Sequence, residues 1–96
     1  MQNPHTRCRE TRRLIDEGAT LVDVRTREEF RAGALRGAIN HPVQWINAGH
    51  APEDIDTPLV VYCRSGARSR MAKDILLSMG YRQVHDLGGY QNIQAC

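Results

Sequence analysis

The chain has 96 residues, of which 41% are hydrophobic and 25% charged, with a formal net charge of +2. That is room for one domain, spanning residues 1–96, with one modest core and the composition of an ordinary globular protein. No apolar run approaches the roughly 18 residues of a transmembrane helix, and no apolar stretch follows the polar, basic N-terminus as in a signal peptide, which points to the cytoplasm and away from a membrane.

Helix character comes first. In "TRCRETRRLIDEG", Cys8, Thr11, Leu14 and Ile15 share one face and Gly18 is placed to stop the helix. Of the 13 cationic residues, 12 are Arg, and four of these (Arg7, Arg9, Arg12, Arg13) crowd this segment. A nucleic-acid site would interleave aromatics for stacking. None is present, so the crowd reads as a solvated helix face.

"ATLVDV", residues 19–24, is a short apolar run ending in a charge, as in a strand covered on both faces. "TREEFRAG" places Thr26 and Glu29 at capping-box spacing, so a short helix begins there and ends at Gly33. "GAIN", residues 37–40, is a short strand candidate. Pro42 then leads into a loop or helical turn carrying Trp45 and Ile46. "HAPEDIDTP", residues 50–58, reads as a surface loop. "LVVY", residues 59–62, is the clearest strand, and residues 67–80 the clearest helix. Met71, Ile75, Leu76 and Met79 recur in that helix at helical spacing, with Gly80 past its end. "QVHDL", residues 83–87, is a last strand, followed by a turn at Gly88–Gly89. Strand alternating with helix implies parallel strands joined by right-handed crossovers, in an α/β layered domain.

Ligands in such sheets bind beyond the carboxyl ends of the strands. Cys63 is expected as the first residue past such an end, about four residues before a helix. A loop that short must curl, and Gly66 permits the positive φ that a curl needs. Ser65, Ala67 and Ser69 are small, so the backbone N–H groups from Arg64 to Ser69 stay accessible and converge. Together with the helix N-terminus they favour an anion, most simply the Cys63 thiolate. Its pKa is then expected below the ordinary thiol value, with Arg64 and Arg68 pushing the same way and holding an anionic substrate. The plainer reading, a small buried hydrophobe at a strand end, leaves the glycine and both arginines unexplained. Of the other cysteines, Cys8 and Cys96 lie near the termini and read as incidental. Three cysteines cannot all pair within one chain, and the spacings exclude a CxxC metal or redox motif.

The sequence resembles the rhodanese (sulfurtransferase) family. "CRSGARS" is similar to that family's active-site loop, "LVDVRTREEF" to its first marked strand and helix, "GALRGAINHP" to its second marker, and "MGYRQVHDLGGY" to its closing strand and diglycine. These cover roughly residues 12–93 in the family's order. Ala34 stands where the family often has His, and Ile93 near where many members have Trp. The short ends resemble small single-domain, phage-shock-type rhodaneses of bacteria, some of them periplasmic. The periplasm is therefore the alternative compartment, if a signal peptide was removed before Met1.

The resemblance implies a rhodanese-like parallel sheet of four or five strands with helices on both faces. It implies that Cys63 attacks a sulfur donor such as thiosulfate, carries a persulfide and passes the sulfur to a second nucleophile. That nucleophile is cyanide in an assay, or in the cell a thiol such as that of a thioredoxin-like protein. Arg64, Ser65, Gly66, Ala67, Arg68 and Ser69 form the substrate cradle. No metal, organic cofactor or nucleic acid is involved.

Asp23 and Arg25 are support candidates. Asp23 approaches the loop in one reading, and Arg25 pairs with Glu29 or Asp23. In the other they form a structural ion pair or cap. His41 reads as a hydrogen-bonded structural histidine, with pocket lining as the alternative. Trp45 is either a pocket wall or packing. Two rival functions remain. A cysteine phosphatase or arsenate reductase has five residues between Cys and Arg, whereas Cys63 and Arg68 have four between them. That smaller cradle suits sulfur better than a tetrahedral oxyanion. A non-catalytic persulfide carrier would need the same cradle.

Overall fold

The computed structural model describes residues 4–52 and 54–90, with side chains from residue 9 onward. In chain order the elements are α1 (Pro4–Asp16), β1 (Thr20–Asp23), α2 (Arg27–Ala32), β2 (Ile39–Asn40), α3 (Val43–Asn47), β3 (Leu59–Cys63), α4 (Ala67–Ser78) and β4 (Val84–Gly89). The strands form one sheet in the order β2-β1-β3-β4, and every pairing is parallel. This is the expected rhodanese-like α/β arrangement, with four strands.

The two strands in the middle of the sheet are its most apolar stretches, because both of their faces are covered. All five residues of β3 are buried. Alternation along the strands divides the core in two. Val22, Leu59, Val61 and Cys63 face Ile46 of α3 and Ala72 and Leu76 of α4. Leu21, Val60, Tyr62 and Leu87 face the other way, toward Leu14 and Ile15 of α1 and Leu35 and Ala38 of the α2–β2 connection. Helices therefore lie on both faces, and consecutive residues Tyr62 and Cys63 belong to different ones.

Local signals place the helix ends as expected. Thr26 Oγ1 accepts from the Glu29 N–H at 3.2 Å, and Glu29 Oε1 accepts from the Thr26 N–H at 3.1 Å, closing the capping box. Gly18 and Gly80 follow α1 and α4 with φ of 109° and 102°, a region that favours glycine. The Arg-rich face of α1 is exposed at Arg9, Arg12 and Arg13. Among the described residues, no helix is long and apolar enough to cross a membrane.

Two details differ from expectation. The diglycine is the end of β4 rather than a turn: Tyr62 pairs with Gly88 and Cys63 with Gly89. The strand can run on because the register shifts there. Val61 pairs with Asp86, so Leu87 is an extra residue on β4. The Asp86 carboxylate accepts from the Gly88 N–H at 2.9 Å and steadies the irregularity. As a consequence Cys63 is the last residue of β3, still paired, and the first strand-end residue outside the ladder is Arg64.

Candidate active site

The loop from Arg64 to Gly66 joins β3 to α4 and turns back over the end of β3. Gly66 is the residue before α4, with φ 102° and ψ −16°. A Cβ there would meet nothing closer than 3.8 Å, the nearest atom being Gly88 Cα. The requirement for glycine is therefore one of backbone conformation more than of space. The curl brings the Gly66 N–H to 2.9 Å from Cys63 Sγ. Ser69, buried in the first turn of α4, places its Oγ 3.6 Å from Sγ and 3.1 Å from the Gly66 carbonyl oxygen. Its hydroxyl proton can be given to either.

Burial pushes the Cys63 thiol up. It is outweighed by hydrogen bonds from the Ser69 backbone N–H and hydroxyl and from the N–H groups of Gly66 and Ser65, so the thiol lies below its ordinary value. The cradle thus acts mainly through backbone and hydroxyl dipoles. Cys63 itself is 0% exposed, at the loop side of the α3–α4 core.

The two arginines of the loop have different surroundings. Arg64 is exposed and forms no ion pair among the described residues. Arg68 donates to both oxygens of Glu29, at 2.6 and 3.0 Å. This two-point grip, with the Thr26 bonds added, holds the Glu29 carboxyl down to about 2. It ties α2 to the start of α4 across 39 residues of sequence. Spacing along the chain gave no sign of it; the fork of Arg and the carboxylate of a capping box are the only local hints.

Asp23 and Arg25 form an ion pair with each other, and neither makes a hydrogen bond to the Arg64–Ser69 loop among the described residues. Asp23 sits opposite Tyr62 in the sheet register, on the Tyr62 side. Arg25 donates to Asp23 through Nε at 3.0 Å and Nη2 at 2.7 Å, and Nη2 also reaches the Gly33 carbonyl at 2.6 Å. The Tyr62 hydroxyl donates to Asp23 at 2.8 Å and accepts from the Leu35 N–H at 3.0 Å. Burial pushes the Tyr62 phenol up. The Arg25 guanidinium lies 4.7 Å from the centre of the Tyr90 ring, which itself stacks on Tyr62.

His41 departs from expectation at one ring nitrogen: its Nδ1 is buried with no hydrogen-bond partner among the described residues, although its backbone N–H donates to the Asp23 carbonyl at 2.9 Å. Trp45 is 46% exposed and walls a cleft lined also by Arg27, Phe30, Arg31 and Asn40. Ala67 is exposed at the start of α4. Cys96, Ile93 and the side chain of Cys8 lie outside the described residues.

A cysteine at the end of a parallel strand, cradled by N–H groups ahead of a helix, is the arrangement that the motif resemblance implied. The rhodanese-like domain family matches residues 8–96. The chain belongs to that family. Thiosulfate sulfurtransferase PspE of Escherichia coli is 39% identical over 75 residues, covering 75% of this chain and 71% of that protein. A sulfurtransferase of Allochromatium vinosum is 39% identical over 80 residues, covering 82% of this chain and 75% of its own length. Among solved structures, the human single-domain sulfurtransferase TSTD1 superposes with a TM-score of 0.77 at 29% identity, over 86% of this chain and 88% of that one. A rhodanese with anions from E. coli gives 0.69 at 35% identity, over 78% and 91%.

Proposed function

We propose that this sulfurtransferase moves a sulfane sulfur from thiosulfate, or a like anionic donor, through a persulfide on Cys63 to a thiol. The reading is carried by one observation: the Gly66 N–H, at 2.9 Å, and the Ser69 hydroxyl oxygen, at 3.6 Å, converge on Cys63 Sγ, within a loop that leaves four residues before Arg68.

The thiolate attacks the outer sulfur of thiosulfate. A Cys63–S bond forms, the donor's S–S bond breaks, and sulfite leaves with the electron pair. The persulfide anion takes the place of the thiolate within the same donors of Ser65, Gly66 and Ser69, so the charge is stabilised before and after transfer. A second nucleophile then takes the outer sulfur, and the electron pair of the breaking bond returns to Cys63. Cyanide gives thiocyanate and a thiol gives a new persulfide. Arg64, exposed and without an ion pair among the described residues, supplies countercharge to the donor. Arg68, held by Glu29, contributes less to that task and more to fixing the cradle. With a thiol as the cellular acceptor, a reducing compartment such as the cytoplasm suits the reaction.

Incubation with thiosulfate should add one sulfur atom to the intact mass of the protein. Cys63→Ser should abolish that gain and lower thiosulfate:cyanide turnover by at least about a thousandfold, as loss of a covalent nucleophile does. A sulfur retained on Cys63→Ser would overturn the assignment.

A further inference from the structure

β4 is the outer strand on its side of the sheet, and among the described residues no strand lies beyond it. Its free edge opens into a cavity of about 360 Å³, with α1 on one side and α4 on the other. The edge presents backbone groups. Leu59 lies opposite Val84 and donates to the Gln83 carbonyl at 3.0 Å, so parallel alternation turns the N–H and C=O of Val84 and Asp86 away from β3. Leu14, Val60 and Leu87 give the cavity an apolar wall, and Asp86 lines it together with Lys73 and His85. These three polar side chains are incompletely paired. Lys73 is half-buried on α4 and forms no ion pair among the described residues. One carboxylate oxygen of Asp86 accepts from the Gly88 N–H at 2.9 Å, and the other has no partner among the described residues. His85 Nε2 is buried, also with no hydrogen-bond partner among the described residues. Leaving such groups unpaired is costly. Lys73 and Asp86 face one cavity without touching, so the ammonium and the carboxylate each keep an open side.

We propose that this cavity binds a free aliphatic α-amino acid. Such a ligand carries both charges that the cavity leaves unmatched, an ammonium for Asp86 and a carboxylate for Lys73, with His85 Nε2 as a further polar contact. Its two charged groups flank one Cα, as N–H and C=O flank each residue of a strand. It therefore fits the edge as a single residue of an added antiparallel strand, donating to the Asp86 carbonyl and accepting from the Asp86 N–H. Its side chain then lies on Leu14, Val60 and Leu87. A plain anion would face Asp86, with the exposed Glu10 of α1 adding a second carboxylate to the wall. A plain amine would face Lys73. No residue of the Arg64–Ser69 loop lines the cavity, so the site stands apart from Cys63 and from the sulfur-transfer reading.

The test titrates the whole isotope-labelled chain with L-leucine and follows the amide resonances of Asp86 and Gly88. Saturable shifts are expected at both. Isocaproate, which is leucine without its ammonium, and isoamylamine, which is leucine without its carboxylate, should each bind the wild type at least about tenfold more weakly, the effect of one charged contact. Lys73→Gln should weaken L-leucine by about the same factor and leave isoamylamine no weaker than before. The comparison among the three ligands is made on the wild type, so it does not depend on any variant folding. Absence of saturable shifts up to about 10 mM L-leucine overturns the proposal, since a site of millimolar affinity or better would be filled there. Equal affinity for all three ligands also overturns it, and would mark the cavity as an apolar hollow only. So does L-leucine affinity unchanged in folded Lys73→Gln. A leucine-containing tripeptide that binds more tightly than the free amino acid would assign the edge to a partner segment and overturn the assignment as well.

Discussion

Tyr62 and Cys63 are neighbours in the chain, yet they serve two unlike polar centres on opposite faces of one sheet. On the α1 side, Asp23, Arg25 and Tyr62 close a network in which each charged side chain is buried and each hydrogen bond has a fixed partner. On the α4 side, Cys63 is surrounded by dipoles that need no partner side chain of opposite charge. The side chains of the first centre are engaged with one another and with backbone groups. The second has donors in excess of what a thiol can use, and that excess fits a thiolate or persulfide. Carbonyl ends of adjacent parallel strands can thus build a brace or a reactive centre, depending on whether side chains or backbone amides do the binding.

Breaking the brace should be the most costly change after loss of Cys63 itself. Asp23→Ala leaves Arg25 buried without its carboxylate, and removing one partner of such a pair costs about 3–5 kcal/mol. Denaturant unfolding should show a fall of that size. The thiosulfate mass gain per folded molecule should persist at low temperature. Full loss of the mass gain in protein that is still folded would show that the two faces are not independent.

Much of this was legible in the sequence because it is written locally. The capping box at Thr26 and Glu29, Gly66 at the mouth of α4 and the apolar run of β3 each need only a few adjacent residues. The pairing of charges was less legible. Glu29 with Arg68 and Asp23 with Tyr62 are each 39 residues apart, and which arginine takes which acid depends on how the strands align. One signal was available. Period-two alternation puts Tyr62 and Cys63 on opposite faces, and Asp23 in parallel register with Tyr62 then turns away from the cysteine. The continuation of β4 through Gly88–Gly89 was hidden because it depends on an extra residue, Leu87, that only the paired strand reveals.

The Glu29–Arg68 bridge sharpens the comparison, since it is an ion pair on the reactive side with part of both side chains in solvent. Glu29→Gln should therefore cost much less than Asp23→Ala, about 1 kcal/mol near neutral pH. The pH dependence has a definite sign. The Glu29 carboxyl is held below its ordinary 4.5, at about 2. Its stabilisation is full above the unfolded value and is lost as pH falls through the folded one. Wild-type and Glu29→Gln unfolding curves should separate above pH 4.5 and converge as the pH is lowered toward 2. Curves that stay equally apart across that window would mean the bridge contributes nothing through its charge.

The smallest expected effect tests whether dipoles alone tune the thiol. Ser69→Ala keeps the backbone N–H that supports Cys63 and removes only the hydroxyl, 3.6 Å from Sγ. The thiolate then loses one neutral donor of several, so Cys63 should titrate at higher pH than in the wild type, with the remaining amides still holding it below an ordinary thiol. At neutral pH, alkylation by iodoacetamide should slow by about threefold, the effect of one ordinary hydrogen bond on the protonation equilibrium. The rates of the two proteins should meet once the pH is high enough to ionise both. A rate at that plateau lower than wild type would point to altered access and not to altered charge. No change at neutral pH would place all of the tuning in the backbone of the loop, and would make the reactive face still less like the brace behind it.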